Sequence, residues 1–194
     1  MGLASVKLQQ DGVLVSGSNP VPVAIAAPTS TISAGYSSSA SKTRPNDTNA
    51  YAALDVVCES ASAGTVWTFS NIGPTGGGKV IIDQMTLEID VSAIPSGMGA
   101  FRLHLYSTSP TAINDNAAFD LPSGDRAKYL GFIETPTPYD LGATLWSATE
   151  DLAFPVRKQV ALASSTIYAM LQTVGAFTPT ASAVKTITLH AVGI

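Results

Sequence analysis

Apolar and polar residues alternate with a period of two in the middle of the chain. The clearest segment is KVIIDQMTLEIDV, residues 79–91, in which every second side chain from position 85 onward is apolar. The apolar positions are Met85, Leu87, Ile89 and Val91, and the polar positions that alternate with them are Gln84, Thr86, Glu88 and Asp90. Because successive side chains of a β-strand point to opposite faces, this pattern predicts a strand with one buried face.

The segment FRLHLYS, residues 101–107, predicts a second strand of the same kind. The side chains expected to face a core are Phe101, Leu103 and Leu105, and those expected to face outward are Arg102, His104 and Tyr106. Similar segments follow: KYLGFIET, GATLWSAT, STIYAMLQTV and VKTITLHAVGI, with turn-forming clusters such as LPSGD and TPTPYD between them. About eight strands at such spacings predict an all-β fold, an antiparallel β-sandwich of the jelly-roll kind.

The first 42 residues differ from the rest in composition. No charged residue occurs from Val13 to Ser41, and prolines at 20, 22 and 28 exclude a helix interior there. Residues 5–16, SVKLQQDGVLVS, predict a small hairpin that turns at Asp11 and Gly12. We therefore predict an extended N-terminal arm over residues 1–45, lying along its own domain or another subunit, and a sandwich domain over residues 46–194. A flexible tail is the alternative.

The glycine-rich stretch GPTGGGKV, residues 73–80, has most of the spacing of a phosphate-binding P-loop. The hydroxyl that should follow the lysine to hold magnesium is replaced by Val80, and the residues after Lys79 predict a strand rather than a helix. The stretch is therefore predicted to join two antiparallel strands, with its glycines adopting positive φ angles.

Charged residues make up 12% of the chain, about half of the usual share for a soluble domain, whereas apolar residues make up 45%. The longest apolar run is about seven residues, against the roughly 20 needed to cross a bilayer, so no membrane partner is expected. The net charge of −4 and the absence of Lys and Arg clusters argue against nucleic-acid binding. Cys58 is the single cysteine and is expected to be a buried small hydrophobe.

Candidate chemistry is sparse. His104 and His190 have no His, Cys or carboxylate at metal-ligand spacing, so we expect surface or interface histidines. The loop NDNAAFDLPSGD, residues 114–125, is a calcium candidate without EF-hand spacing, and a solvated loop is the simpler expectation. No nucleophile motif occurs, so the chain is predicted not to be an enzyme. Trp67 and Trp146 are expected in the core, with stacking on sugars as the alternative.

The segment KTRPNDTNAYAALDVV, residues 42–57, resembles the opening segment of small virion proteins of tailed bacteriophages, called decoration or cement proteins. The residues that carry the resemblance are Thr43-Arg44-Pro45, Asp47-Thr48, Tyr51 and Asp55-Val56-Val57. The N-terminal phrases DGV and SNPVPV are similar to the arms of such proteins, so the resemblance covers mainly residues 8–57. It implies a β-sandwich or jelly-roll subunit, often a homotrimer, on the outer surface of the virion capsid after assembly in the host cytoplasm.

This resemblance implies that the partners are the major capsid protein and other copies of the chain, and it brings no catalytic residue, cofactor or metal site. The candidate subunit or capsid contacts are Arg44, Pro45, Asp47, Tyr51 and Asp55. The Arg44 guanidinium is expected to meet a carboxylate of its own or a neighbouring subunit, with Asp47 and Asp55 as candidates. A role limited to organising a turn is equally compatible with these residues.

Two other classes of function stay open. A trimeric receptor-binding or fibre module that recognises a host glycan would also be rich in strands, and it would expose aromatic residues in a groove. A jelly-roll enzyme would need convergent carboxylates or histidines, of which the sequence offers few.

Overall fold

A computed structural model of the protein describes residues 9–10, 13–14, 35–151 and 157–194. The chain divides into two compact units, residues 1–32 and 33–194. In the first unit, β1 (Gln9–Gln10) and β2 (Val13–Leu14) pair antiparallel, with Gln10 opposite Val13. This pair matches the hairpin predicted within residues 5–16, whereas its turn residues and the proline-rich segment 19–28 lie outside the described residues.

The described residues of the second unit form strands and two short 3-10 helices. The strands are β3 (Gly35–Thr43), β4 (Val56–Val57), β5 (Trp67–Phe69), β6 (Gly78–Ile89), β7 (Phe101–Tyr106), β8 (Tyr129–Glu134), β9 (Tyr139–Asp140), β10 (Leu145–Ala148), β11 (Lys158–Leu162), β12 (Ile167–Thr173) and β13 (Val184–Gly193). The 3-10 helices are Ser123–Lys128 and Thr149–Asp151.

These strands form two antiparallel sheets. The larger sheet has the order β3-β13-β6-β10-β9. β10 and β11 both pair with the same edge of β6: β10 with residues 86–89 and β11 with residues 78–82. The smaller sheet has the order β4-β12-β7-β8, and β5 also pairs with β12. The prediction of an antiparallel β-sandwich is therefore confirmed.

The domain boundary differs from the predicted one. Residues 35–43, which the sequence analysis included in the arm, form β3 and pair along their whole length with β13. The sandwich therefore begins before residue 46. The alternation that identifies this strand is weak in sequence because its inward positions include Ser38 and Lys42 instead of large apolar residues.

The core lies between the two sheets and contains the residues that the alternating pattern predicts. From β6 and β7 these are Met85, Leu87, Ile89, Phe101, Leu103 and Leu105, all of which are buried. Trp67, Phe69 and Ile72 add large side chains to the same cluster. Burial of a side chain of this size contributes about 1.5–3 kcal/mol relative to leaving it in water, so these strands are held mainly by this layer.

The smaller sheet is partly covered on its outer face. His104 and Tyr106 of β7 were expected to face outward, and both are buried. His104 is covered by a segment that returns beside the sheet, in which the Val56 N–H donates to the Ala117 carbonyl at 2.8 Å and the Phe119 N–H donates to the Leu54 carbonyl at 3.1 Å. Tyr106 packs against Tyr129, with ring centroids 5.3 Å apart. Alternation in the sequence cannot reveal a loop that packs onto the polar side of a strand.

The glycine-rich stretch 73–80 also differs from its prediction. It connects β5 of the smaller sheet to β6 of the larger sheet, so it crosses between sheets instead of joining two paired strands. The expected positive φ angles are present at Gly77, with φ +80°, and Gly78, with φ +138°. Lys79 is exposed on β6.

Candidate functional site

Arg44 lies directly after β3 and is buried, with 2% of its surface exposed. Its guanidinium donates to the Tyr51 hydroxyl at 3.0 Å, to the Asp47 carboxylate at 2.8 Å and to the Asn49 carbonyl at 3.1 Å. It also donates to the backbone carbonyl of Asp47. One side chain therefore satisfies acceptors throughout the turn that follows it, which fixes the path of residues 45–51.

The same guanidinium is linked to a distant loop through Tyr51 and Asp115. The Tyr51 hydroxyl donates to the Asp115 carboxylate at 2.7 Å, and the Cys58 N–H donates to the same oxygen at 2.8 Å. The second carboxylate oxygen of Asp115 lies 3.8 Å from the Arg44 Nε atom. We call Arg44, Asp47, Tyr51 and Asp115 the Arg44 clasp. It holds together the turn at residues 44–51 and the loop at Asp115, which are far apart in sequence.

Burial and hydrogen bonding set the charge states in and around the clasp. Burial raises the pKa of Asp115 above its ordinary value, against the effect of the donors that surround it. The pKa of Asp47 is lowered by the Asn49 N–H and by Arg44. Lys185 of β13 is also buried nearby, and desolvation lowers its pKa to about 8. The clasp therefore pairs opposite charges in a region where an unpaired charge is costly.

The candidate contact residues are thus engaged within the chain. Arg44 meets Asp47, one of its two expected partners, but not Asp55, which accepts from the Ala52 N–H at 2.7 Å. The Pro45 carbonyl accepts from the Ser182 N–H at 3.1 Å. These contacts organise a turn and attach it to the sandwich, and the buried guanidinium of Arg44 is not available to a partner's surface.

Sequence reasoning did not connect Asp115 to Arg44 or Tyr51. It treated Asp115 as a calcium candidate, because the loop 114–125 is rich in carboxylates. In the structure the carboxylates of this loop point to different partners: Asp115 belongs to the clasp, and Asp125 accepts from Lys128 at 3.0 Å. Within residues 35–151 and 157–194, no three His, Cys, Asp or Glu side chains converge to hold a metal ion.

The two histidines occupy different environments. His104 is stacked on Phe119, with ring centroids 3.8 Å apart, and its ring nitrogens contact the Tyr129 hydroxyl at 2.9 Å and the Gln172 amide oxygen at 3.0 Å. Burial lowers its pKa, which favours the neutral form. The expectation of a surface histidine is therefore wrong for His104, whereas His190 on β13 is half-buried.

The two tryptophans also differ. Trp67 is 1% exposed and lies in the core, as predicted. Trp146 is only half-buried and lies on β10, with Glu88 of β6 opposite on one side and Tyr139 of β9 opposite on the other. Tyr139 is 52% exposed. An accessible aromatic pair is therefore present at one edge of the larger sheet.

Comparison with known proteins gives limited information. No known protein family and no curated protein sequence matches this chain. Among solved structures, it is similar to a bacterial lipoprotein from Bacteroides thetaiotaomicron VPI-5482, with 8% identity and a TM-score of 0.34 over 82% of this chain and 84% of that one.

A second solved structure with similarity is the K3 cleaved adhesin domain of Lys-gingipain from Porphyromonas gingivalis W83. It has 12% identity and a TM-score of 0.27 over 72% of this chain and 74% of that one. Similarity at these levels of superposition carries no information about function. In the described residues, no helix has the length and apolar character needed to cross a bilayer.

Proposed function

We propose that this chain is a structural protein of a phage virion, which binds the outer surface of the head and reinforces it by bridging capsomers. Its partners in this proposal are the major capsid protein and other copies of the chain, arranged as a homotrimer. The resemblance of residues 42–57 to decoration proteins suggests the kind of particle to which the chain binds, and the architecture of the chain supports a mechanical role.

The observation that carries the proposal is the division of the chain into a sandwich and a separate N-terminal unit, residues 1–32. A reinforcing subunit needs a stable body and a segment that reaches a neighbour. The Arg44 clasp lies directly after β3, and it would stop a pull on the N-terminal side that has detached β3 from spreading into residues 45–51. Contacts of this kind stabilise a shell by mass action, because they form only in the assembled state.

The chemistry of the described side chains also supports a non-catalytic role. Of the buried ionisable residues, Arg44, Asp55, Asp115 and Asp125 are engaged in hydrogen bonds or ion pairs within the chain. His104 is likewise held between an amide and a phenol. Catalytic groups usually face a cleft where a substrate can reach them, and these do not.

The first test is the copy number of this chain relative to the major capsid protein in purified particles, by quantitative mass spectrometry. Hundreds of copies that scale with the capsid lattice are expected. A handful of copies would assign the chain to a tail or fibre, and its absence from the particle would refute the proposal. Arg44 is a poor probe of head binding, since its replacement would act through stability of the fold.

A receptor-binding module that recognises a glycan is the second candidate function. The specific observation in its favour is the accessible pair of Trp146 and Tyr139, which cross-strand pairing places side by side on the larger sheet. The other tryptophan, Trp67, does not contribute because it is buried. Copy number distinguishes the two candidates, since a receptor-binding module is needed at few positions in a particle.

A further inference from the structure

One line of residues crosses the whole width of the larger sheet on its outer face. Cross-strand pairing places these residues directly opposite one another, in the order Ser41, Thr186, Glu88, Trp146 and Tyr139. Directly paired residues of neighbouring strands point to the same face. With neighbouring strands about 4.8 Å apart, the line is roughly 19 Å long. We call it the aromatic row.

The aromatic row is accessible along its length. Tyr139 and Ser41 are exposed, and Thr186, Glu88 and Trp146 are half-buried. At the far end from the aromatic pair, the Ser41 and Thr186 hydroxyls are 2.8 Å apart, so they are already held by a hydrogen bond. On the smaller sheet, by contrast, Phe119 stacks on His104 and buries it. The row therefore offers two aromatic rings, a carboxylate and hydroxyls to solvent.

The charge of this face restricts the ligand. The lines on either side of the row contain Ser39, Thr188, Thr86 and Ala148 on one side, and Thr43, Val184 and Asp90 on the other. Neither these lines nor the aromatic row contains a lysine or an arginine, and their carboxylates are Glu88 and the exposed Asp90. A phosphate or polyanionic ligand would meet no cationic partner here and would be repelled by Glu88. A neutral ligand rich in hydroxyls fits this surface better.

We propose that the aromatic row binds a neutral oligosaccharide that lies across the strands. The C–H face of a sugar ring packs on the Trp146 indole and the Tyr139 phenol, which are apolar on their faces and polar at one end. Sugar hydroxyls donate to the Glu88 carboxylate, which makes these hydrogen bonds charge-assisted. The Ser41 and Thr186 hydroxyls form hydrogen bonds with a sugar ring further along the oligosaccharide. The site does not depend on the virion role of the protein.

The experiment uses the full chain and its own fluorescence. The chain has two tryptophans, and since Trp67 is buried, quenching by acrylamide reports on Trp146. The probes are maltohexaose, cellohexaose and chitohexaose, with oligogalacturonate as an anionic control. We expect at least one neutral hexasaccharide to protect Trp146 from acrylamide at millimolar concentrations, and calorimetry to give binding of the same sugar.

Variants then test the residues of the row. Tyr139→Ala and Glu88→Gln are each expected to weaken binding by about tenfold or more, which corresponds to about 1.4 kcal/mol. Tyr168→Ala is the matched control, because Tyr168 is a half-buried tyrosine on β12 of the smaller sheet, away from the row. Unfolding midpoints of all variants are measured alongside. The proposal is overturned if no neutral probe protects Trp146, if only oligogalacturonate does, or if Tyr139→Ala binds like the parent.

Discussion

The side chain of Arg44 fixes the backbone path of the segment that follows it. It belongs to the segment, residues 42–57, that resembles decoration proteins, and it is buried among acceptors of its own chain instead of facing a partner. A planar guanidinium with five donors can satisfy several acceptors at once, which a lysine at the same position cannot do. The segment around Arg44 therefore organises the local structure of its own chain.

Replacing Arg44 with Ala is expected to lower the free energy of unfolding by about 3–5 kcal/mol, because Asp115 would be left buried without its charged partner. Tyr51→Phe should cost less, about 1–2 kcal/mol, since it removes a hydroxyl only. Arg126→Ala is the control, because Arg126 is exposed. Urea unfolding followed by tryptophan fluorescence measures all three variants. A loss below about 1 kcal/mol in Arg44→Ala would contradict the structural role of the clasp.

Lys185 gives the protein a pH dependence on the alkaline side. Its pKa is about 8 in the folded protein, because burial disfavours the charged amine, against an ordinary value of 10.5. The charged groups that surround it are Asp115 and Arg44, together with the Cys58 thiol. Between pH 8 and 10.5 the unfolded chain binds more protons than the folded one, so the stability contributed at this site rises with pH.

Comparison with Lys185→Met isolates this effect. Below pH 8 the variant is expected to be the more stable protein, because it has no charge to bury. Its advantage should shrink by about 2 kcal/mol between pH 8 and 10, as the parent loses the proton in the folded state. Urea unfolding at a series of pH values measures the difference, and Lys79→Met, which keeps Lys185, should follow the parent. If the difference in the free energy of unfolding between Lys185→Met and the parent does not vary with pH, the lowered pKa of Lys185 is refuted.

At the scale of elements, strands with strict alternation could be predicted from the sequence and the surroundings of those strands could not. β6 and β7 bury the predicted residues because one face of each has only large apolar side chains. The burial of His104 depends on a loop centred on Phe119, which no periodicity within β7 reveals. The same limit hid the clasp, since Tyr51 and Asp115 are 64 positions apart.

The glycine-rich crossing was predicted correctly in its backbone and wrongly in its connectivity. Positive φ angles follow from the glycines themselves, but a flexible loop joins strands of one sheet or of two sheets equally well. What decides between them is the pairing partner of β5, which is β12, roughly 100 residues further along the chain. Long-range pairing of this kind leaves no mark in a local sequence pattern.

Substitution of Gly77 tests whether the backbone of this crossing has room for a side chain. Its φ of +80° disfavours any other residue, and an added Cβ would lie 2.5 Å from the Leu162 carbonyl oxygen of β11. Gly77→Ala is therefore expected to lower the free energy of unfolding by at least about 2 kcal/mol. Gly76→Ala is the matched control, since nothing lies within 4 Å of its added Cβ, and its effect should stay within about 0.5 kcal/mol. Equal effects in thermal unfolding would contradict the model of a tight crossing.

At the scale of the whole molecule, the two outer faces of the sandwich differ in chemistry. Phe119 stacks on His104 of the smaller sheet, where Phe132 is 44% exposed, whereas the larger sheet presents hydroxyls, carboxylates and two aromatic rings beside the buried Thr86 and Ala148. Small hydroxylated side chains form much of the surface of the larger sheet, which is compatible with the low content of charged residues.

The pairing of β3 with β13 has a mechanical consequence. Gly35, where the sandwich begins, lies opposite Val192, so both ends of the sandwich leave the larger sheet at the same place. A force applied between residue 35 and Ile194 would open this ladder like a zipper, one pair after another, instead of shearing all of its hydrogen bonds together. The sandwich is therefore weak along this one axis, and a shell that carries tension through it would have to load it in another direction.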